Sequence, residues 1–337
     1  MRRLLDLLAS AETLGFDNIW LNEHHFDAWG GLLPSPPMLL SALSQRTSRV
    51  RLGTSITVLG LHHPLSIAEQ IAMLDLMSGG RVDFGVGRGS EAYDYEAFGL
   101  DYASAQDRTI EALDVILQAW TGEPVAHHGQ HFEVPRVQVW PRPQQKPHPP
   151  VWFSCLSNPA SFEWTARRGY HLLSLGFPTS VPRFAELARV YRQAWTDAGH
   201  ATDGYQFGTL YHTVVCERGD HARQLAVNAF SRFLAQLRQS RQRPTRYVAP
   251  RRASELITDH DVAQLIEEGR LLAGSPSEVA DTLRYLRDEV GFTQVDLMFQ
   301  LGGLSFEVAD ESMHLFAHEV MPLLREDNPS VLSRVSS

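Results

Sequence analysis

Between residues 18 and 299, short apolar runs repeatedly give way to segments with the three-to-four-residue periodicity of an amphipathic helix. Strand-like runs fall at residues 18–21, 50–58, 81–86, 151–155, 171–175, 206–215 and 294–299, and helical patterns at 1–14, 36–46, 66–77 and 105–120. Strands that alternate with helices along a whole chain pair in parallel, because each helix carries the chain back across the sheet it covers. Two local signals sharpen the pattern. Met77-Ser78-Gly79-Gly80 ends a helix, since glycine accepts the left-handed conformation of a C-terminal cap. Ser275-Pro276-Ser277-Glu278 opens another, as a capping box with proline at the first helical position.

A closed (β/α)8 TIM barrel needs eight strands, each followed by its helix. The sequence offers seven, and its first recognisable element is a helix. An open barrel would leave two parallel edges with unpaired backbone groups. The expectation is therefore a single α/β barrel domain over residues 1–325 whose first strand lies upstream of Met1. Residues 236–273, polar and rich in arginine, are too long for a simple connection and are expected to form a lid-like insertion. Residues 326–337 are expected to be a disordered tail.

Composition narrows the partners. A net charge of −9 argues against nucleic acid or a membrane surface, and no apolar stretch approaches the length of a membrane span. Two cysteines, Cys155 and Cys216, are too few for a disulfide framework or a thiolate metal cluster. The N-terminal run 4–11 is interrupted by Asp6, unlike a secretory signal. A cytoplasmic enzyme is expected.

Three segments could carry chemistry. The apolar run Ile19-Trp20-Leu21 ends in Asn22-Glu23-His24-His25. Adjacent residues on an extended segment point oppositely, so His24 and His25 would not share one metal, and no spaced set of His, Cys or Asp suggests a zinc or iron site. At the carboxyl end of a barrel strand, where active sites of this fold lie, His24 is a candidate general acid–base with Glu23 as a tuning group. Gly85-Val86-Gly87-Arg88-Gly89 is not the dinucleotide fingerprint, because Ser90 stands where the third glycine would be. Alone it reads as a tight turn, but Arg88 there suits bidentate capture of a phosphate. Ser154-Cys155-Leu156-Ser157-Asn158-Pro159-Ala160-Ser161 joins a strand to a helix opened by Pro159. Ordinary N-capping and an anion site at the helix start explain it equally well. No G-x-S-x-G turn supports a hydrolase.

Taken in order, FDNIWLNEHHF, RLGTSITVLGLHHPLSIAEQIAMLDLMSGGRVDFGVGRG, FGLD, PRPQQKPHPPVW, AGSPSEVADTL and HEVMPLL resemble the flavin-dependent monooxygenases of the bacterial luciferase-like family. The resemblance covers nearly the whole chain. It implies a (β/α)8 barrel that takes reduced FMN (FMNH2) from a separate flavin reductase, uses O2 as co-substrate, and oxygenates a small organic substrate through a flavin peroxide. It also implies a homodimer built on the helices around residues 36–46 and 66–77. By the same resemblance His24 is the catalytic base, and Gly87 and Arg88 lie at the flavin, with Arg88 on its phosphate. Ser157 matches a phosphate-loop serine, and Ser161 matches a second across a one-residue gap. Ser55-Ile56 takes the place of a non-prolyl cis peptide under the flavin ring, and residues 236–273 that of a mobile active-site loop. Gly87 departs from the luciferase α subunit, which carries a reactive cysteine there, and residues that select a long-chain aldehyde are not recognisable, so light emission is not expected. Relatives on the same barrel that use the deazaflavin F420, and a non-catalytic partner subunit like the luciferase β chain, are the alternatives.

Overall fold

The computed structural model describes residues 1–26, 33–246 and 261–326 of the chain. The chain divides into two compact units, one formed by residues 1–154 with 240–250, the other by 155–239 with 251–337.

In the first unit, α1 (Arg2–Thr13), β1 (Asn18–Leu21), α2 (Pro36–Ser44), β2 (Arg51–Thr54), β3 (Thr57–Val58), α3 (Pro64–Ser78) and β4 (Val82–Gly87) follow one another. Next come α4 (Ala92–Ala97), α5 (Ala105–Trp120), an antiparallel hairpin of β5 (Val125–His128) and β6 (Glu133–Val137), and β7 (Val151–Ser154). The sheet is parallel in the order β1-β2-β4-β7, so every strand ends at the same edge. All six residues of β4 are buried, as a central strand covered on both faces requires. Helix α3 starts at Pro64 and stops at Gly79, whose φ of 72° is the left-handed cap foreseen from Met77-Ser78-Gly79-Gly80.

The apolar run 50–58 is two strands, not one. Leu52 and Gly53 pair with Val82 and Asp83, whereas Thr57 and Val58 pair with Val86 and Gly87. Four steps on one strand therefore match three on the other, and the extra residue lies at the Ser55–Ile56 peptide bond, which is cis. Such a bulge re-aims side chains at a strand end.

Glu12, at the end of α1, fixes that helix to the entry of β2. Its carboxylate accepts from the N–H groups of Ser48, Arg49 and Val50 at 2.7 to 3.1 Å and from the Ser48 hydroxyl at 3.1 Å. Partial burial pushes the Glu12 pKa up, but these bonds outweigh it and bring it from 4.5 to about 2. A carboxylate with a depressed folded pKa contributes stability above its unfolded value and loses it as pH falls through its folded value. Glu12→Gln is expected to cost about 1–2 kcal/mol at pH 7, allowing for solvent screening. In urea titrations that difference should shrink as pH falls from about 4.5 toward about 2.

The second unit contains α6 (Pro159–Arg167), β8 (His171–Leu175), α7 (Val181–Asp197), β9 (Phe207–Val215), α8 (Gly219–Arg241) and α9 (Val262–Glu267). It continues with β10 (Leu272–Gly274), α10 (Pro276–Val290), β11 (Gln294–Met298), α11 (Phe306–Leu315), a π-helical turn (Phe316–Val320) and α12 (Met321–Glu326). β8, β10 and β11 all pair in parallel with β9. Helix α10 opens with the full capping box, Ser275 accepting from the Glu278 N–H and the Glu278 carboxylate accepting from the Ser275 N–H.

Parts of the expected lid, residues 236–273, are regular. Helix α8 runs to Arg241, α9 follows Asp261, which caps it, and β10 begins at Leu272. Residues 247–260, the middle of the expected lid, and residues 327–337 of the expected tail lie outside the described residues. No described helix is long and apolar enough to cross a membrane.

Candidate functional site

The carboxyl ends of β1, β2–β3 and β4 share one edge of the first unit's sheet, the edge at which ligands bind in parallel α/β folds. β1 delivers Glu23, His24 and His25 there. The backbone N–H of His24 donates to the Leu33 carbonyl at 3.1 Å, and its ring is half-buried.

Glu23, only 5% exposed, organises the rim. One carboxylate oxygen is 2.9 Å from Nε2 of His25 and 2.7 Å from Nε2 of His62, and the other accepts from the N–H of Val58 at 3.0 Å. One buried carboxylate thus ties the exit of β1, the strand after the cis peptide, and the turn leading into α3. Burial alone would raise the Glu23 pKa, but the bonds from His25, His62 and Val58 prevail and lower it. The His25 pKa is raised, chiefly by its bond to Glu23. The sequence showed no spaced set of metal donors because His62 stands 37 positions after His25 (62 − 25). The fold brings Glu23, His25 and His62 together, with donor atoms within 4.8 Å of one another.

The turn after β4 is held from outside. The Tyr95 hydroxyl donates to the Arg88 carbonyl at 2.7 Å, and the Tyr102 hydroxyl to the Ser90 carbonyl at 3.1 Å. The Arg88 guanidinium lies 5.1 Å from the centroid of the Tyr102 ring and has no carboxylate partner among the described residues. Both tyrosines belong to a cluster with Val58 and Ala105 against which Ile56 packs. Gly89 needs its φ of 75°, and a Cβ there would lie 2.8 Å from Val58. At Gly87 a Cβ would lie 2.4 Å from Cδ1 of Ile56, so any side chain requires Ile56 to move. The buried Thr57 hydroxyl, next to Ile56, has no hydrogen-bond partner among the described residues.

The segment after α8 also reaches this unit's rim. Arg243 donates to the Phe26 carbonyl at 3.1 Å and stacks 4.7 Å from the Tyr93 ring centroid, while the Arg246 N–H donates to Glu96. Phe26, with φ 56°, is the described non-glycine residue in the left-handed region, a conformation associated with functional strand ends.

In the second unit Asn158 caps α6 by accepting from the Ala160 N–H at 3.1 Å. Ser157 precedes that cap and Ser161 lies in the first turn, neither hydroxyl being bonded within the described residues. Sequence reasoning missed His212, which is buried on β9 with ring centroids 5.0 Å from Phe177, 5.0 Å from Phe230 and 5.4 Å from Phe233. Burial lowers its pKa to about 3, so it is neutral, and its Nδ1 has no hydrogen-bond partner among the described residues. A histidine among aromatic residues that are scattered in sequence gives no signal before folding.

The sequence model of the luciferase-like monooxygenases matches residues 1–294. The oxygenase component of the flavin-dependent trigonelline monooxygenase of Acinetobacter baylyi is 27% identical over 329 residues, 96% of this chain and 89% of that protein. An uncharacterised protein of Sinorhizobium fredii, y4wF, is 37% identical over 230 residues, 68% of this chain and 66% of its own length. The crystal structure of the monooxygenase RslO1 from Streptomyces bottropensis superposes with a TM-score of 0.85 at 29% identity, covering 95% of this chain and 92% of that one.

Proposed function

The chain belongs to the luciferase-like monooxygenase family, and we propose that it is the oxygenase component of a two-component system that takes reduced FMN from a separate reductase and oxygenates a small organic substrate with O2. One observation carries the reading: His24, the cis Ser55–Ile56 bulge and the Gly87-Arg88-Gly89 turn converge at the carboxyl ends of three neighbouring parallel strands. In this reading the fold is the (β/α)8 barrel of the family, and residues 236–273 serve as its lid.

The residues present fit a flavin phosphate. Arg88 is a cation without a carboxylate partner among the described residues, in a chain of net charge −9, and the tyrosine-held turn fixes its backbone. Arg88 would pair with the phosphate. Ser157, Ser161 and the N–H groups at the start of α6 are the further candidates for cofactor binding. Ser55, Ile56 and Gly87 would shape the floor beneath the ring. Bound reduced flavin supplies the electrons that activate O2. His24 takes up and returns a proton at its imidazole, and the 236–273 segment excludes water. Met38, Met73, Leu76 and Met77 on α2 and α3 are 44–76% exposed, an apolar surface that suits the homodimer.

Anaerobic titration with reduced FMN, beside reduced F420, tests the assignment. Tight binding of reduced FMN, followed on mixing with O2 by return of oxidised absorbance more slowly than for free reduced FMN, is expected. Binding of F420 alone would overturn the FMN assignment, and oxidation of that bound F420 by an organic substrate without O2 would then show hydride transfer instead. Arg88→Ala should weaken FMN binding about 10–100-fold, as loss of a charge-assisted phosphate contact predicts, while leaving riboflavin binding unchanged.

A further inference from the structure

We propose that Glu23, His25 and His62 form a binding site for a divalent transition metal of the zinc type, distinct from the flavin reading and independent of it. Two imidazole nitrogens and one carboxylate oxygen are a donor set for zinc and its neighbours, whereas calcium and magnesium require oxygen cages. The three donor atoms lie within 4.8 Å of one another, and both Nε2 atoms already approach one Glu23 oxygen at 2.9 and 2.7 Å. Donors about 2.0–2.1 Å from a tetrahedral ion stand about 3.3 Å apart, so the two nitrogen–oxygen separations of 2.9 and 2.7 Å widen by roughly half an ångström, while the two nitrogens, within 4.8 Å of each other, settle to the same spacing. The ion takes the place of the hydrogens that now bridge nitrogen and oxygen: a neutral imidazole binds it through Nε2 as the Nδ1–H tautomer, and a protonated one releases its Nε2 proton to solvent.

The surroundings are built for rigidity and access. The second Glu23 oxygen is fixed by the Val58 N–H at 3.0 Å, the kind of outer support that orients a metal ligand. The His25 ring is wedged edge-on against Phe98, 5.1 Å between centroids. Glu23 and His25 side chains are 1% and 8% exposed, but His62 is 29% exposed, which gives the ion an entry and leaves a fourth position for water. The site draws on none of the residues proposed to hold the flavin or to act as its acid–base.

The test uses the whole chain, without flavin, titrated with CoCl2 and then ZnCl2. A saturable 1:1 visible band of four-coordinate Co2+, displaced by Zn2+, is expected. His62→Gln should weaken Co2+ binding by more than about 100-fold, beyond the 10–100-fold that loss of an outer supporting group gives. As a readout that needs no variant, Zn2+ should raise the unfolding temperature of the native chain and a chelator should reverse the rise. Absence of a saturable band, or an equal affinity in H62Q, overturns the assignment. Binding that survives H62Q belongs to an exposed pair such as His314 and His318, whose rings are 6.1 Å apart.

Discussion

Glu23→Ala is expected to destabilise the first unit by about 3–5 kcal/mol, the cost of removing one partner from a buried charged cluster. Three donors, the imidazoles of His25 and His62 and the N–H of Val58, lose their acceptor at once. Two of these, His25 and Val58, have little access to replacement water: His25 is 8% exposed, and Val58 is buried against Tyr95 and Tyr102. Glu23→Gln separates charge from hydrogen bonding. Its amide oxygen can still accept from one side, but its NH2 group then faces a donor, so a smaller loss of about 1–3 kcal/mol is expected. Denaturant titrations followed by the fluorescence of Trp20 and Trp152, whose rings pack 5.2 Å apart in the same unit, would read both. An unchanged midpoint in Glu23→Ala would show that the cluster does not hold these three elements together.

How far the sequence could be read depended on how each feature is encoded. Helix α5 and strand β8 fall at the expected 105–120 and 171–175, because apolar periodicity and length together separate helix from strand. The cap at Gly79 and the box at Ser275 were equally legible, being local chemistry within four residues. The β5–β6 hairpin was not. Val125-Ala126-His127-His128 is polar, and its support is Glu111 on α5, which accepts from the Phe132 N–H at 2.8 Å. The break between β2 and β3 was equally hidden from periodicity, since a one-residue bulge leaves the apolar run intact. Only the family resemblance placed a cis bond at Ser55–Ile56, and the structure has it. Among the site residues, the strand-end position of His24 and the glycines flanking Arg88 are visible in sequence. Tyr95, Tyr102 and His62 are not, because what makes them matter is a tertiary contact with Arg88, Ser90 or Glu23.

His24→Ala is expected to leave reduced FMN binding within a few-fold of the native value and to slow turnover in a reductase-coupled assay by about 10²–10⁴-fold, the range for loss of a positioned acid–base group. The neighbouring histidine supplies the control. His25 is buried and bonded to buried Glu23, so His25→Ala should lower the unfolding midpoint before it changes any rate. His24 has its backbone fixed by Leu33, and its half-buried ring should be removable without a comparable loss of stability. The two substitutions therefore dissociate, one acting on kcat at constant fold and the other on fold first. Added imidazole should restore part of the turnover of His24→Ala, which a packing defect would not permit. Full coupled turnover in His24→Ala would remove the acid–base role from His24 and leave Glu23 and His25 as the part of this strand end with a structural role.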